Sequence, residues 1–225
     1  MNQTATEQVL ISEVGMRDGL QSIKSIMPTE YKFKLIDALY EAGVREIEAC
    51  SFVPATLLPQ MADAAEVVRY ALRYPDLTVM ALVPNLRGAR NALQAGAHKL
   101  TLPVSASEAH SLANVRKTRE QMVQEVREIV ALRNEIAPGV KIEAGISTAF
   151  GCTIQGRVSE DDVVRLASQL VAAGADETGL SDTTGYANPA QVRRLFRRVF
   201  AEIGDKCGAA HMHNTRGLGM ANNLA

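Results

Sequence analysis

Residues able to do chemistry cluster in a few short stretches of this chain, and two histidines give the sharpest local pattern. His211 and His213 stand two apart in AAHMHN, residues 209–214. On a strand, residues two apart share a face, so both imidazoles point to one side. With a carboxylate from a neighbouring strand end, such a pair could grip a divalent metal. The plain alternative is a pair of hydrogen-bonded histidines near the surface. Arg17 and Asp18 sit side by side in GMRDGLQ, residues 15–21. Two adjacent opposite charges in a turn can be a solvated pair. They can also supply a third metal ligand, Asp18, and a cation, Arg17, placed to stabilise negative charge on a carbonyl oxygen. Glu48 interrupts an apolar run and needs a partner if buried, so it reads as a support for Arg17 or for the metal. Asp182 closes another apolar run, but Asp before Thr-Thr-Gly can equally cap a turn. His98 and His110 read as bystanders at a strand start and in a polar loop.

The elements that must position these residues alternate almost without a break. Strands are expected over 8–14, 44–52, 77–84, 98–105, 141–148, 175–182 and 209–214, with helices over 29–42, 60–73, 86–95, 114–136, 160–173 and 189–203. A further helix begins in GLGMANNLA. Thr29 and Ser159 are expected as N-caps, with Asp162 as capping-box partner to Ser159. A βα repeat of about 30 residues forces parallel strands covered by helices. A closed (β/α) barrel and an open doubly wound sheet both fit. The missing G-x-G-x-x-G after the first strand weakens the dinucleotide-binding option. In either fold, chemistry gathers at the carboxyl ends of the strands. Arg17, Asp18, Glu48, Asn85, Asp182, His211 and His213 all fall there.

Composition narrows the function further. The 225 residues carry 24 basic and 25 acidic side chains, which argues against a nucleic-acid-binding surface. No apolar run approaches a membrane span, and MNQTATEQVL lacks the pattern of a secretory leader. Cys50, Cys152 and Cys207 lie far apart, which fits reduced thiols in a cytoplasmic protein. No linker or low-complexity segment divides the chain, so residues 1–225 read as a single domain.

Together the motifs resemble the 3-hydroxy-3-methylglutaryl-CoA lyase family. The resemblance rests on VGMRDGLQ at 14–21, KLIDALYEAGVREIEACSFVP at 34–54, VPNLRGA at 83–89, AFGCTIQGRVS at 149–159, LSDTTG at 180–185 and HMHNTRGLGMANNLA at 211–225. Leu20 favours the lyases over the related synthases, whose first motif usually reads R-D-G-E-Q. The resemblance implies a (β/α)8 barrel that uses Mg²⁺ or Mn²⁺ to cleave a 3-hydroxyacyl-CoA, most simply as a homodimer. It implies Asp18, His211 and His213 as metal ligands and Arg17 as the catalytic arginine. Glu48 and Asp182 match acidic residues of the active-site region, and Gln21 and Asn85 are expected to line the substrate pocket. Met16 and Asn214 depart from the usual Pro and Asp, and Asn214 leaves the acyl group open, a citramalyl-type substrate included. No residue up to 225 matches the family's catalytic cysteine or the Asn of its metal shell; Cys152 matches a different cysteine. Seven strands and the start of a helix predict a barrel open between strands 7 and 1. The expectation is an incomplete copy of a protein of roughly 300 residues.

Overall fold

Each βα unit buries an apolar strand beneath an amphipathic helix, and repetition of that unit generates one parallel sheet. A computed structural model describes residues 9–225. The sheet holds seven strands in sequence order: β1 (Ser12–Glu13), β2 (Glu46–Ser51), β3 (Thr78–Leu82), β4 (Lys99–Ser105), β5 (Lys141–Ser147), β6 (Thr178–Asp182) and β7 (Cys207–Met212). Every adjacent pair is parallel. Consecutive, same-handed pairing curls the sheet into most of a (β/α)8 barrel. Among the described residues β1 and β7 are the two edges, with no pairing between them, as the strand count predicts.

The helices are α1 (Thr29–Glu41), α2 (Ala64–Ala71), α3 (Leu86–Ala95), α4 (Glu108–Val115), α5 (Arg119–Ile136), α6 (Glu160–Ala172), α7 (Pro189–Ile203) and α8 (Gly219–Asn223). Their buried faces, such as Val67, Val68, Ile129, Leu166 and Leu195, pack on the outward residues of the strands. This apolar layer between helices and sheet is the core.

Several local details differ from the sequence expectations. The expectation for strand 1 begins on residue 8, outside the described residues, and the ladder itself is confined to Ser12 and Glu13. The stretch expected as one helix over 114–136 is broken. Arg116 takes a left-handed conformation at φ 57° that closes α4. Thr118 and Gln121 then form a reciprocal capping box that opens α5. His110, expected in a loop, therefore lies on α4. Thr29 is the first helical residue rather than the cap, and its hydroxyl donates to Asp63 at 2.9 Å. Ser159 occupies the N-cap position of α6 without a side-chain cap bond; Asp162 pairs with Arg165 and Arg119 instead.

At the amino-terminal end of the strands, Lys99 joins Glu143 at 2.8 Å and also Glu177. Glu143 lies on β5 and Glu177 immediately before β6, so one ammonium bridges two carboxylates that would otherwise repel each other in a confined space. Removing one member of a buried ionic cluster leaves uncompensated charge, at a cost of about 3–5 kcal/mol. Lys99→Met is expected to lower unfolding stability by that amount in urea titration, and adding Glu143→Leu to recover part of the loss. Equal stability of wild type and Lys99→Met would refute this role.

Candidate active site

The carboxyl end of β1 runs directly into a single π-helical turn, Gly15–Gly19. The amides of Arg17 and Asp18 both donate to the Val14 carbonyl, at 3.0 and 2.7 Å. Wide turns of this kind recur at functional sites because they turn neighbouring side chains toward one place. Here Arg17 donates through Nη1 to Asp18 Oδ1 at 2.8 Å and through Nε to Glu48 Oε2 at 2.5 Å. Glu48 is only 3% exposed. Its other oxygen, Oε1, accepts from the Thr101 hydroxyl of β4. A carboxylate removed from water is thus satisfied on both oxygens, and it fixes the guanidinium. Nη2 of Arg17 has no protein partner among the described residues.

His211 is the penultimate residue of β7, paired in register with Ser181 of β6. His213 lies just beyond the strand, and its amide donates to the Asp182 carbonyl at 3.4 Å, which continues the extended course. Both rings therefore reach the same side, with their Nε2 atoms 2.9 Å apart. Asp18 Oδ2 lies 3.7 Å from Nε2 of His211 and 3.4 Å from that of His213. The two imidazoles, that of His211 foremost, hold the Asp18 carboxyl well below the usual carboxylate range. Asp18 in turn raises the pKa of His213 against the effect of burial.

Asp18, His211 and His213 together offer one carboxylate oxygen and two imidazole nitrogens to a divalent ion. Three ligand atoms lie within 4.8 Å of one another. With bonds near 2.1 Å, ligands at right angles on one ion stand about 3 Å apart, and more at wider angles. All three measured separations suit one ion held on a single face. Two imidazoles and one carboxylate form the facial pattern that leaves other positions open. The side chains are 30%, 35% and 29% exposed, so that open face is accessible. A register irregularity between Glu48 and Cys50 puts Ser51 on the same face as Glu48, yet its buried hydroxyl has no hydrogen-bond partner.

The other expected site residues are placed differently. Both oxygens of the fully buried Asp182 accept backbone amides, from Tyr186 and Ala187 at 3.0 Å each. It braces the β6 loop, the turn-capping role, and does not join the three ligands. Asn85 caps α3 by accepting from the Gly88 amide at 2.9 Å. Gln21 is exposed and outside the cluster. Thr101 had no place in the sequence expectation. Its signal was the alternation of Lys99, Thr101 and Ser105 through HKLTLPVS, which puts all three on the inner face.

Comparison with known proteins fits this geometry. The HMGL-like family model matches residues 8–225. The chain belongs to the HMGL-like family. It is 37% identical over 221 residues to the mitochondrial hydroxymethylglutaryl-CoA lyase of Bos taurus, covering 98% of this chain and 67% of that protein. It is 35% identical to the cytoplasmic 3-hydroxy-3-methylglutaryl-CoA lyase of Mus musculus, covering 97% of this chain and 63% of that one. Among solved structures, an HMG-CoA lyase from Acinetobacter baumannii, in complex with coenzyme A and 3-methylmalate, superposes with a TM-score of 0.90 at 39% identity. That match covers 96% of this chain and 70% of the other. The HMGL-like chain thus spans about two thirds of the relatives' length, and those relatives are carbon–carbon lyases.

Glu48 fixes Arg17, which in turn holds Asp18, so its loss should disturb the ligand set only at one remove. Glu48→Gln is expected to weaken Mn²⁺ binding by no more than about tenfold, the low end of what a supporting contact contributes. Asp18→Asn and His211→Ala should each exceed that. Calorimetric titration of chelator-treated protein measures all three, and an undiminished affinity in Asp18→Asn would remove Asp18 from the site.

Proposed function

We propose that this protein cleaves 3-hydroxy-3-methylglutaryl-CoA to acetyl-CoA and acetoacetate, with Mg²⁺ or Mn²⁺ held by Asp18, His211 and His213. The observation that carries the reading is the single guanidinium, Arg17, fixed beside the three convergent ligands with one nitrogen left unpaired. When bound, a divalent ion supplies Lewis acidity that makes the substrate's 3-hydroxyl easier to deprotonate. Once that proton has left, the C2–C3 bond breaks and its electron pair passes to C2. The products are the ketone of acetoacetate and the enolate of acetyl-CoA, which then takes a proton at C2. Charge develops on the thioester oxygen in this step, and Arg17 is the cation placed to meet it. Because Glu48 and Asp18 already hold the guanidinium, little reorganisation accompanies the charge as it forms. Ser51 offers its unpaired hydroxyl on the same face as Glu48, as a donor to a substrate oxygen.

The acyl-CoA assignment draws support from the coenzyme A in the similar A. baumannii structure. The 3-methylmalate in the same structure favours a second reading, a thioester of a shorter hydroxy-diacid. All three cysteines are free, which suits a reducing compartment. No helix among the described residues is long and apolar enough to cross a membrane. We assign the protein to the cytoplasm, the compartment named for the 35% identical M. musculus relative, although the bovine relative is mitochondrial.

Acetyl-CoA release from a panel of 3-hydroxyacyl-CoA thioesters, with Mn²⁺ and with chelator, tests the reaction and separates the two acyl groups. Arg17→Lys keeps the charge but cannot fork between Glu48 and Asp18. It is expected to lower kcat by about 10²–10³ with little change in KM, the pattern for an interaction made in the transition state. A rise in KM alone would assign Arg17 to ground-state binding and contradict the mechanism.

A further inference from the structure

Ser105, Ser147 and His110 form a second polar cluster at the carboxyl ends of the strands, apart from the three ligands. Ser105 Oγ lies 2.6 Å from His110 Nδ1 and 3.0 Å from Ser147 Oγ. The alternation along β4 sets Ser105 on the face of Thr101, which reaches inward to Glu48. The alternation along β5 sets Ser147 on the face of Glu143, which meets Lys99 inside the sheet. Ser105 pairs in register with Ser147. The pairing of Ile146 with Leu180 sets Ser181 beside Ser147, and Ser181 pairs with His211. One row of inward positions thus runs from Ser105 to the metal-binding histidine. Ser147 is two strands from His211, or about 10 Å along the sheet.

Ser105 is 3% exposed, whereas Ser147 and His110 are half-buried. The chain of hydrogen bonds therefore has a buried centre and two accessible ends. Among the described residues, His110 Nε2 has no partner and Ser147 Oγ has only Ser105. The surrounding backbone fixes this arrangement. Ser107 caps α4 by accepting from the His110 amide at 3.1 Å. Thr148, beside Ser147, is held at φ 56°. Its hydroxyl accepts from the Ser107 amide at 3.1 Å, and its own amide donates to Thr183 Oγ1 at 2.8 Å. A β-branched residue held in the left-handed region by its neighbours is a feature of functional sites.

The cluster contains no carboxylate, lysine or arginine. Burial pushes the His110 imidazole below its ordinary pKa, which favours the neutral ring. The nearby Arg119 is committed to Glu108, Asp162 and the Ala106 carbonyl. Such a site offers hydrogen bonds without a counter-ion, which suits a hydroxyl or carbonyl oxygen better than a carboxylate.

We propose that Ser105, Ser147 and His110 form a specificity subsite for an uncharged, oxygen-bearing substituent on the acyl group of the thioester. The proposal rests on the lyase reading and narrows its substrate class: the preferred 3-hydroxyacyl-CoA carries, for example, a hydroxymethyl group where 3-hydroxy-3-methylglutaryl-CoA carries a methyl. A polar pocket discriminates against the apolar analogue because that analogue leaves its hydrogen bonds unmade.

Calorimetry on chelator-treated protein, where neither thioester is cleaved, compares the methyl and hydroxymethyl compounds directly. The hydroxymethyl thioester is expected to bind about tenfold tighter, the effect of roughly one hydrogen bond. Ser105→Ala and His110→Phe should abolish that preference while leaving the methyl compound's Kd within about twofold. His110→Asn, which keeps an acceptor near the Nδ1 position, should restore part of it. Equal Kd values for the two thioesters in the wild type would overturn the proposal. So would variants that weaken both alike, since that is the signature of a structural role. Acetyl-CoA release with Mn²⁺, measured alongside, tests the lyase reading separately. Release without any preference in binding overturns the subsite alone, and no release from either thioester overturns both.

Discussion

A buried carboxylate inside a curled sheet must be paired, and the arrangement of this site follows from how Glu48 meets that requirement. Its two oxygens go to different elements, one to Arg17 beyond β1 and the other to Thr101 on β4. A bond from β2 to β4 spans the interior, and the bond to Arg17 ties the first βα turn to that interior. Arg17 then holds Asp18 through its other arm. The orientation of the one carboxylate able to meet the histidines is thus set two contacts away, by a residue that touches neither of them.

Register does the rest. Parallel pairing in sequence order brings β7 round toward β1 without a direct ladder between them. Asp18 and the two histidines meet across that gap at 3.4–3.7 Å. Among the described residues, the contact between the β1 and β7 ends is made by these side chains. The lowered Asp18 carboxyl stays ionised and ready to meet a cation, whereas the raised His213 pKa means that an ion bound there must displace a proton.

Much of this was legible in the sequence, because a βα repeat announces its own fold and polar residues at strand ends stand out against apolar runs. The cost of burying a lone carboxylate called for a partner to Glu48, either Arg17 or the metal, and the partner is Arg17. What was not legible depended on local chain geometry. Asp182 was ambiguous between site and cap and Asn85 was expected in the pocket, yet the side-chain oxygens of both went to backbone amides. Arg116 ended a helix in a left-handed conformation that no glycine advertised. That break put His110 on a short helix of its own, against Ser105, where the sequence suggested only a loop. Ser105 was visible in the alternation of β4, but its partner could not be known without the break.

The central claim is that one divalent ion sits between Asp18, His211 and His213. Diffraction from crystals grown with Mn²⁺, collected at the manganese absorption edge, tests it most directly. The account predicts a single strong anomalous peak within about 2.3 Å of Asp18 Oδ2 and of both Nε2 atoms. A peak bound elsewhere, or histidines that stay hydrogen-bonded to each other at saturating Mn²⁺, would contradict it.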